Sequence, residues 1–197
     1  AAASVDGIAL VGSASNQDGR SSSLTAPNGP SQQGVLGGAL RDACVSPGLV
    51  SDLQMHGTGT SLGDPIEVGA AGAVLMDGRS HPLTLSAAKA TLGHSEPAAG
   101  VAGIMQSVSS LSSRSSIGMR HLVHVNPHVA GALAHLGQRS EGSTVSVSRG
   151  TRMHADAAGA GVVGSVSAFA FQGSNANIVL SRAADAVVFV SGARSLR

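Results

Sequence analysis

The stretch that most constrains this chain is residues 53–67, where an apolar run, a histidine, a three-glycine loop and a helix start follow one another. Leu53 and Met55 read as the end of a strand, His56 stands at its lip, and Gly57, Gly59 and Gly63 punctuate the loop. Asp64 is a good N-cap residue, Pro65 suits the first helical position, and Glu67 stands three residues after the cap. Strand, glycine loop, helix is how α/β proteins present functional groups at the carboxyl ends of their strands. The glycines leave room for a ligand to approach the backbone. His56 is therefore a candidate site residue.

The rest of the chain repeats this alternation. Residues 8–12 read as a buried strand running into turn chemistry at Asn16-Gln17-Asp18-Gly19. A stiff polar loop ends at Pro30, and Ser31 is the expected cap of a helix to about residue 43, with Cys44 at its end. A strand over 52–56 and a helix over 64–76 flank the glycine loop, and a strand over 83–86 leads to Lys89 and His94. Residues 98–111 form a helix apolar on most faces, which predicts burial in a larger body. From 118 to 161 the pattern weakens, apart from the Asn126-Pro127 turn and a strand candidate at 144–147. Residues 161–171 and 176–180 then read as two strands joined by Gln172-Gly173-Ser174-Asn175. This alternation predicts α/β layers.

Composition narrows the function classes. The 197 residues are enough for one domain or for part of a larger one, and the start at Ala1 without a signal segment reads as an excised piece. A net charge of +1 with 12 % charged residues gives no basic stripe for nucleic acid and no polybasic membrane patch. No apolar run approaches the roughly 20 residues that cross a bilayer. The single cysteine allows no internal disulfide, which points to a reducing, cytoplasmic setting.

Lys89 is the only lysine, and it lies between His56 and His94. Two imidazoles and an ammonium converging on one pocket can polarise a carbonyl, hold an enolate or shuttle a proton. Other candidates have simpler explanations. Helix capping accounts for Asp64 and Glu67, and Cys44 has no activating neighbour in sequence. The irregular spacing of His121, His124 and His128 does not fit a metal site. Gly59-Thr60-Ser61-Leu62-Gly63 matches a nucleophile elbow, but the helix is expected to start at Asp64 rather than at Ser61. A serine hydrolase is kept as a distant rival.

Several motifs together resemble the β-ketoacyl synthase family, most closely the ketosynthase domains of type I polyketide synthases. They are Asn16-Gln17-Asp18-Gly19-Arg20, Leu24 through Gln33, His56-Gly57-Thr58-Gly59-Thr60 through Glu67, Lys89 through His94, and Phe169 through Ala176. The resemblance spans about residues 7–182 and implies a thiolase-like fold, in which two α/β halves stack into five layers (α-β-α-β-α). This chain would supply the second half, residues 1–182, and residues 183–197 would begin a linker to an acyltransferase domain. Family members form homodimers and take substrates on the phosphopantetheine arm of acyl carrier protein, with no directly bound cofactor. They transfer an acyl group to a cysteine, decarboxylate a malonyl-type thioester and condense the two.

The resemblance makes His56 and His94 the catalytic histidines, with Lys89 orienting His94. Thr25, Thr58 and Thr60 match positions that bind the phosphopantetheine arm. Phe171 gates the acyl pocket and Asn175 braces the gate. Three departures stand out. No segment matches the family's nucleophilic cysteine, so a missing amino-terminal half would have to supply it. Ala170 replaces the usual glycine of the closing turn, which predicts a stiffer gate or a shifted φ, and Asn177 stands where histidine is frequent. The alternative reading is a non-catalytic or degenerate piece serving as a dimerisation or scaffold surface.

Overall fold

Strand and helix signals resolve into one seven-stranded sheet with helices on both faces. The computed structural model describes residues 4–5, 7–19, 26–76, 79, 81–139, 145–147, 149–153 and 162–182. In chain order the strands are β1 (Ser4–Val5), β2 (Ile8–Gln17), β3 (Val50–Gln54), β4 (Leu83–Ser86) and β5 (Ser115–Ser116). They continue with β6 (Val145–Val147), β7 (Arg152–Met153), β8 (Val163–Phe169) and β9 (Ser174–Arg182). The helices are α1 (Gly29–Asp42), α2 (Gly63–Leu75), α3 (Lys89–Leu92), α4 (Ala99–Ser112) and α5 (Pro127–Arg139). The main sheet runs β1-β2-β9-β8-β3-β4-β6, and β5 pairs with β7 separately.

β8, β3, β4 and β6 pair in parallel, so their carboxyl ends lie on one edge, while β9 runs antiparallel between β8 and β2. One face packs against α1, α2 and α5 through Leu36, Leu40, Leu53, Val68, Leu75 and Leu136. The other packs against α4 through Ile8, Leu111, Val166 and Leu180. Glycines bring α4 close to that face. A Cβ on Gly103 would stand 3.2 Å from both Gln54 Cγ and Val166 Cγ1, and one on Gly164 would stand 2.8 Å from Ser107 Oγ.

Several local expectations are corrected by tertiary pairing. β2 runs through Gln17 instead of turning at Asn16, because its register with β9 continues to Gln17↔Ser174. Asn28, not Ser31, caps α1, its Oδ1 accepting from Ser31 N at 3.2 Å. α2 starts at Gly63, whose N–H donates to Thr60 Oγ1 at 3.0 Å, so Asp64 is not its cap. α5 lies in the stretch that looked weak. Asn126 Oδ1 accepts from His128 N at 2.9 Å, and Val129, Leu133 and Leu136 fall at helical spacing. Gly131 and Gly137 dilute that signal by lowering helix propensity.

α4 buries only one side. Ala99, Gly103, Ser107 and Leu111 face the sheet, whereas Val101 and Met105 are 58 % and 68 % exposed. The expected all-round burial is not provided by the described residues. The last turn lies at Ala170–Gly173 rather than at 172–175, with Ala170 N donating to Ser174 O at 2.7 Å. Thr144 of the strand candidate, Thr25 and the expected linker 183–197 lie outside the described residues.

Candidate active site

β3 delivers His56 to the carboxyl edge of the sheet, and the chain then turns through two left-handed glycines, Gly57 (φ +50°) and Gly59 (φ +77°). Gly57 is also sterically required, because a Cβ there would stand 2.8 Å from Ala87 Cβ. The loop is tied to α2 by the two carboxylates that sequence pattern assigned to capping. Glu67 accepts from His56 N at 2.7 Å and from Gly57 N at 2.9 Å, and Asp64 accepts from Gly59 N at 3.1 Å. Both reach back to fix the loop. Burial pushes Glu67 up to about 7 against the pull of its two N–H donors, and it raises Asp64 as well.

β4 and the short α3 carry Lys89 to the same place. Its Nζ donates to His56 O at 2.5 Å and lies 3.4 Å from His56 Nδ1. Burial lowers the Lys89 ammonium, and the nearby Glu67 and Asp64 oppose that shift. His56 Nδ1 also accepts from Phe169 N at 3.3 Å, and the Phe169 ring lies 5.6 Å from the imidazole. Burial first, then the Lys89 and His94 charges, lower His56 to about 4, so the ring is neutral at pH 7.

His94 meets His56 edge to face, with ring centroids 5.9 Å apart at 86°. Its Nδ1 accepts from Glu96 N at 3.0 Å. Each histidine thus uses Nδ1 to accept a backbone N–H, which leaves Nε2 as the nitrogen that carries a ring proton. The result is a pair of imidazole N–H donors. Such donors stabilise negative charge developing on an oxygen.

The pair lines a cleft of about 810 Å³ with Thr58, Thr60, Leu62 and Phe171. The threonine hydroxyls lie 3.4 Å apart. Phe171, 77 % exposed, lies on the turn that forms part of the cleft wall. Behind that turn the buried Asn175 Nδ2 donates to Asp18 Oδ1 at 2.7 Å and to Asn16 Oδ1 at 3.1 Å. Ala170 does not adopt a left-handed backbone, and the turn's positive φ falls on Gly173 (+85°). Asn177, on β9, is buried and bonds Ser165 and Ser167 on β8.

The structure thus groups His56, Lys89, His94, Thr58, Thr60 and Phe171, and sets Asn175 behind the turn. Cys44 is exposed at the end of α1 and does not line the cleft. Ser61 is exposed before α2, and no described histidine bonds to it. His121, His124 and His128 are exposed, and no group of three or more potential metal ligands occurs among the described residues. Sequence reasoning missed two contributors. Glu67 reads locally as a capping residue, and the Phe169 N–H that His56 accepts belongs to the main chain, so that bond leaves no side-chain signature.

Known proteins resemble this chain in sequence and in fold. Residues 8–122 match the model for the β-ketoacyl synthase carboxyl-terminal domain. The chain is 39 % identical over 181 residues to polyketide synthase GfsA of Streptomyces halstedii, covering 90 % of this chain and 2 % of that protein. It is 41 % identical over 179 residues to the spectinabilin polyketide synthase system protein NorA' of Streptomyces orinoci, covering 89 % and 5 %. Among solved structures, the oxazolomycin ketosynthase domain OzmH KS8 of Streptomyces albus JA3453 superposes with a TM-score of 0.72 at 30 % identity, over 88 % of this chain and 44 % of that one. The module 6 ketosynthase of the bacillaene synthase of Bacillus subtilis 168 gives 0.74 at 27 %, over 89 % and 30 %. The chain therefore spans less than half of these solved ketosynthases and a small fraction of the curated synthases. The fold is thiolase-like, and the chain belongs to the β-ketoacyl synthase family as the carboxyl-terminal part of a type I polyketide synthase ketosynthase domain.

Proposed function

We propose that this chain supplies the enolate-stabilising half of an acyltransferase site that performs decarboxylative Claisen condensation. The observation that carries the reading is the His56–His94 pair, each accepting a backbone N–H at Nδ1 and each lining the cleft. A malonyl-type thioester bound there loses CO2 as its C2–carboxylate bond breaks. The electron pair passes to the thioester oxygen, where the two Nε2–H groups hold the charge. C2 then attacks the carbonyl of an acyl group carried on cysteine, forming the new carbon–carbon bond and releasing the thiolate. The lowered proton affinity of His56 suits a donor that stays neutral through this cycle.

The nucleophilic cysteine would come from an amino-terminal ketosynthase half, since Cys44 lies away from the cleft. That half would also cover Val101 and Met105 on α4. Thr58 and Thr60, with Thr25, would hold the phosphopantetheine arm of acyl carrier protein as substrate. Phe171 would gate the acyl pocket. A homodimer, a following acyltransferase domain reached through 183–197 and a cytoplasmic setting complete the reading. No helix among the described residues is long and apolar enough to cross a membrane.

The absence of a cysteine beside the histidines supports a second reading, a degenerate piece that acts as a scaffold. Complementation separates the two. The amino-terminal half is supplied in trans or by fusion, and decarboxylation of malonyl-loaded carrier protein is followed. His56→Ala and His94→Ala are each expected to lower the rate about 100-fold. A folded assembly with no decarboxylation would establish the scaffold reading instead.

A further inference from the structure

A buried polar cluster lies beneath the site on the α4 side of the sheet, and the chemistry above makes no use of it. Asp52, Gln54, Ser86 and Ser116 are each at most 4 % exposed. Polar groups so deeply buried are costly unless bonded. The Ser86 hydroxyl lies 2.8 Å from Gln54 Oε1 and 3.1 Å from Asp52 Oδ1, with one proton to direct between them. Ser116 Oγ donates to Asp52 Oδ2 at 2.5 Å.

Three elements meet at Gln54, and each leads within a few residues to one group of the site. β3 ends at Gln54, and His56 follows two residues later. β4 ends at Ser86, the register partner of Gln54, and Lys89 follows three residues later. α4 presses Gly103 onto the Gln54 side chain, and its chain arrives from His94 through a single 3₁₀ turn at Glu96–Ala98. β3 and β4 are parallel and joined through α2, so no hairpin turn sets their register. An apolar contact between them would add stability without direction. A hydroxyl held by acceptors on the neighbouring strand has a preferred position along it.

We infer that the Asp52–Ser86–Gln54 cluster is a positioning device that sets the spacing of His56, Lys89 and His94. It rests on the ketosynthase reading only for what the positioned groups do. The groups facing the His56 ring are Lys89, His94 and Phe169, with Glu67 bonded to the backbone of the same loop. Loosening the β3–β4 register moves Lys89 from the ring, and lifting α4 moves His94.

The test uses the assembled ketosynthase, this chain with its nucleophile-bearing half, carrying Ser86→Ala or Gly103→Ala. The His56 titration midpoint is read by NMR of the ring, beside the kinetics of malonyl decarboxylation. Both variants are expected to raise the midpoint from about 4 towards 6.5. Both are also expected to lower kcat about tenfold with KM unchanged. Val35→Ala, on the buried face of α1, serves as the control, because it lowers Tm without moving the midpoint. If either folded variant loses Tm while keeping the wild-type midpoint and kcat, the positioning role is overturned. The midpoint needs no turnover, so an inactive wild-type assembly counts against the condensation reading alone.

Discussion

Two connections border the cleft, and they are held in opposite ways. The loop after β3 is tied along its length, with Glu67 and Asp64 accepting from three consecutive or near-consecutive N–H groups at 56, 57 and 59. The turn after β8 is tied mainly at its base, through Asp18 N to Gly173 O at 2.8 Å and Asn175 to Asp18, with one long bond from Gln17 Nε2 to Gln172 O at 3.4 Å, while Phe171 projects into solvent. The first carries His56 and the second carries the aromatic wall. A group that meets developing charge has to be fixed before the reaction begins, because preorganisation is the source of its effect. A side chain that admits substrate, as proposed for Phe171, has to move. Bonds along a loop suit the first task, and bonds at a turn's root suit the second.

The largest expected effect breaks the rigid side. Glu67→Ala leaves the N–H groups of His56 and Gly57 without their acceptor and is expected to cost about 3 kcal/mol. Chemical denaturation measures it, and a loss below about 1 kcal/mol would show that water holds the loop equally well.

A smaller effect comes from pH and concerns two groups on the same loop with opposite signs. His56 titrates near 4 in the fold and 6.5 unfolded, so the unfolded chain takes up the proton first and stability falls as pH drops from about 6.5 to about 4. Glu67 titrates near 7 in the fold and 4.5 unfolded, so its contribution falls as pH rises from about 4.5 to about 7. Over the shared window they offset one another. His56→Ala removes the first and keeps the second, because Glu67 bonds the backbone N–H of that position. Wild-type stability minus variant stability should therefore shrink on acidification through this window, by up to about 2 kcal/mol after allowing for solvent at the ring. A difference that stays level with pH would remove His56 from the linkage.

The smallest effect sharpens the side held at its root. Phe171→Ala is expected to change stability by less than about 0.5 kcal/mol, since the ring is mostly in water. It should nevertheless alter the relative loading rates of short and long acyl thioesters in the assembled enzyme. Unchanged acyl preference would leave the ring without a gating role.

The fold was largely legible in local pattern. β4 matched its predicted bounds, and α2 and α4 began within one residue of theirs, because apolar periodicity and breakers act over a few residues. α5 was missed although Asn126, Pro127 and the Val129–Leu133–Leu136 spacing were present, because two glycines weakened the helical signal. At the site, glycine-rich motifs located His56 and His94 without showing how they are held. Glu67 illustrates the limit. Three residues after a candidate cap is a local fact, whereas an oxygen 2.7 Å from the amide of residue 56 depends on how α2 packs. The Phe169 N–H on His56 is invisible for the same reason.

The close seating of α4 bears on how such a domain diverges. Gly103 and Gly164 put main chain where bulky side chains usually set the spacing between helix and sheet. A rotamer can be exchanged for another over generations of substitution, but a backbone contact offers no such exchange. Drift can therefore rewrite loops and outer surfaces among relatives sharing only 27–41 % of their residues. The seating of the helix that follows His94 should then change little, because the close contacts at Gly103 and Gly164 leave few sterically neutral substitutions.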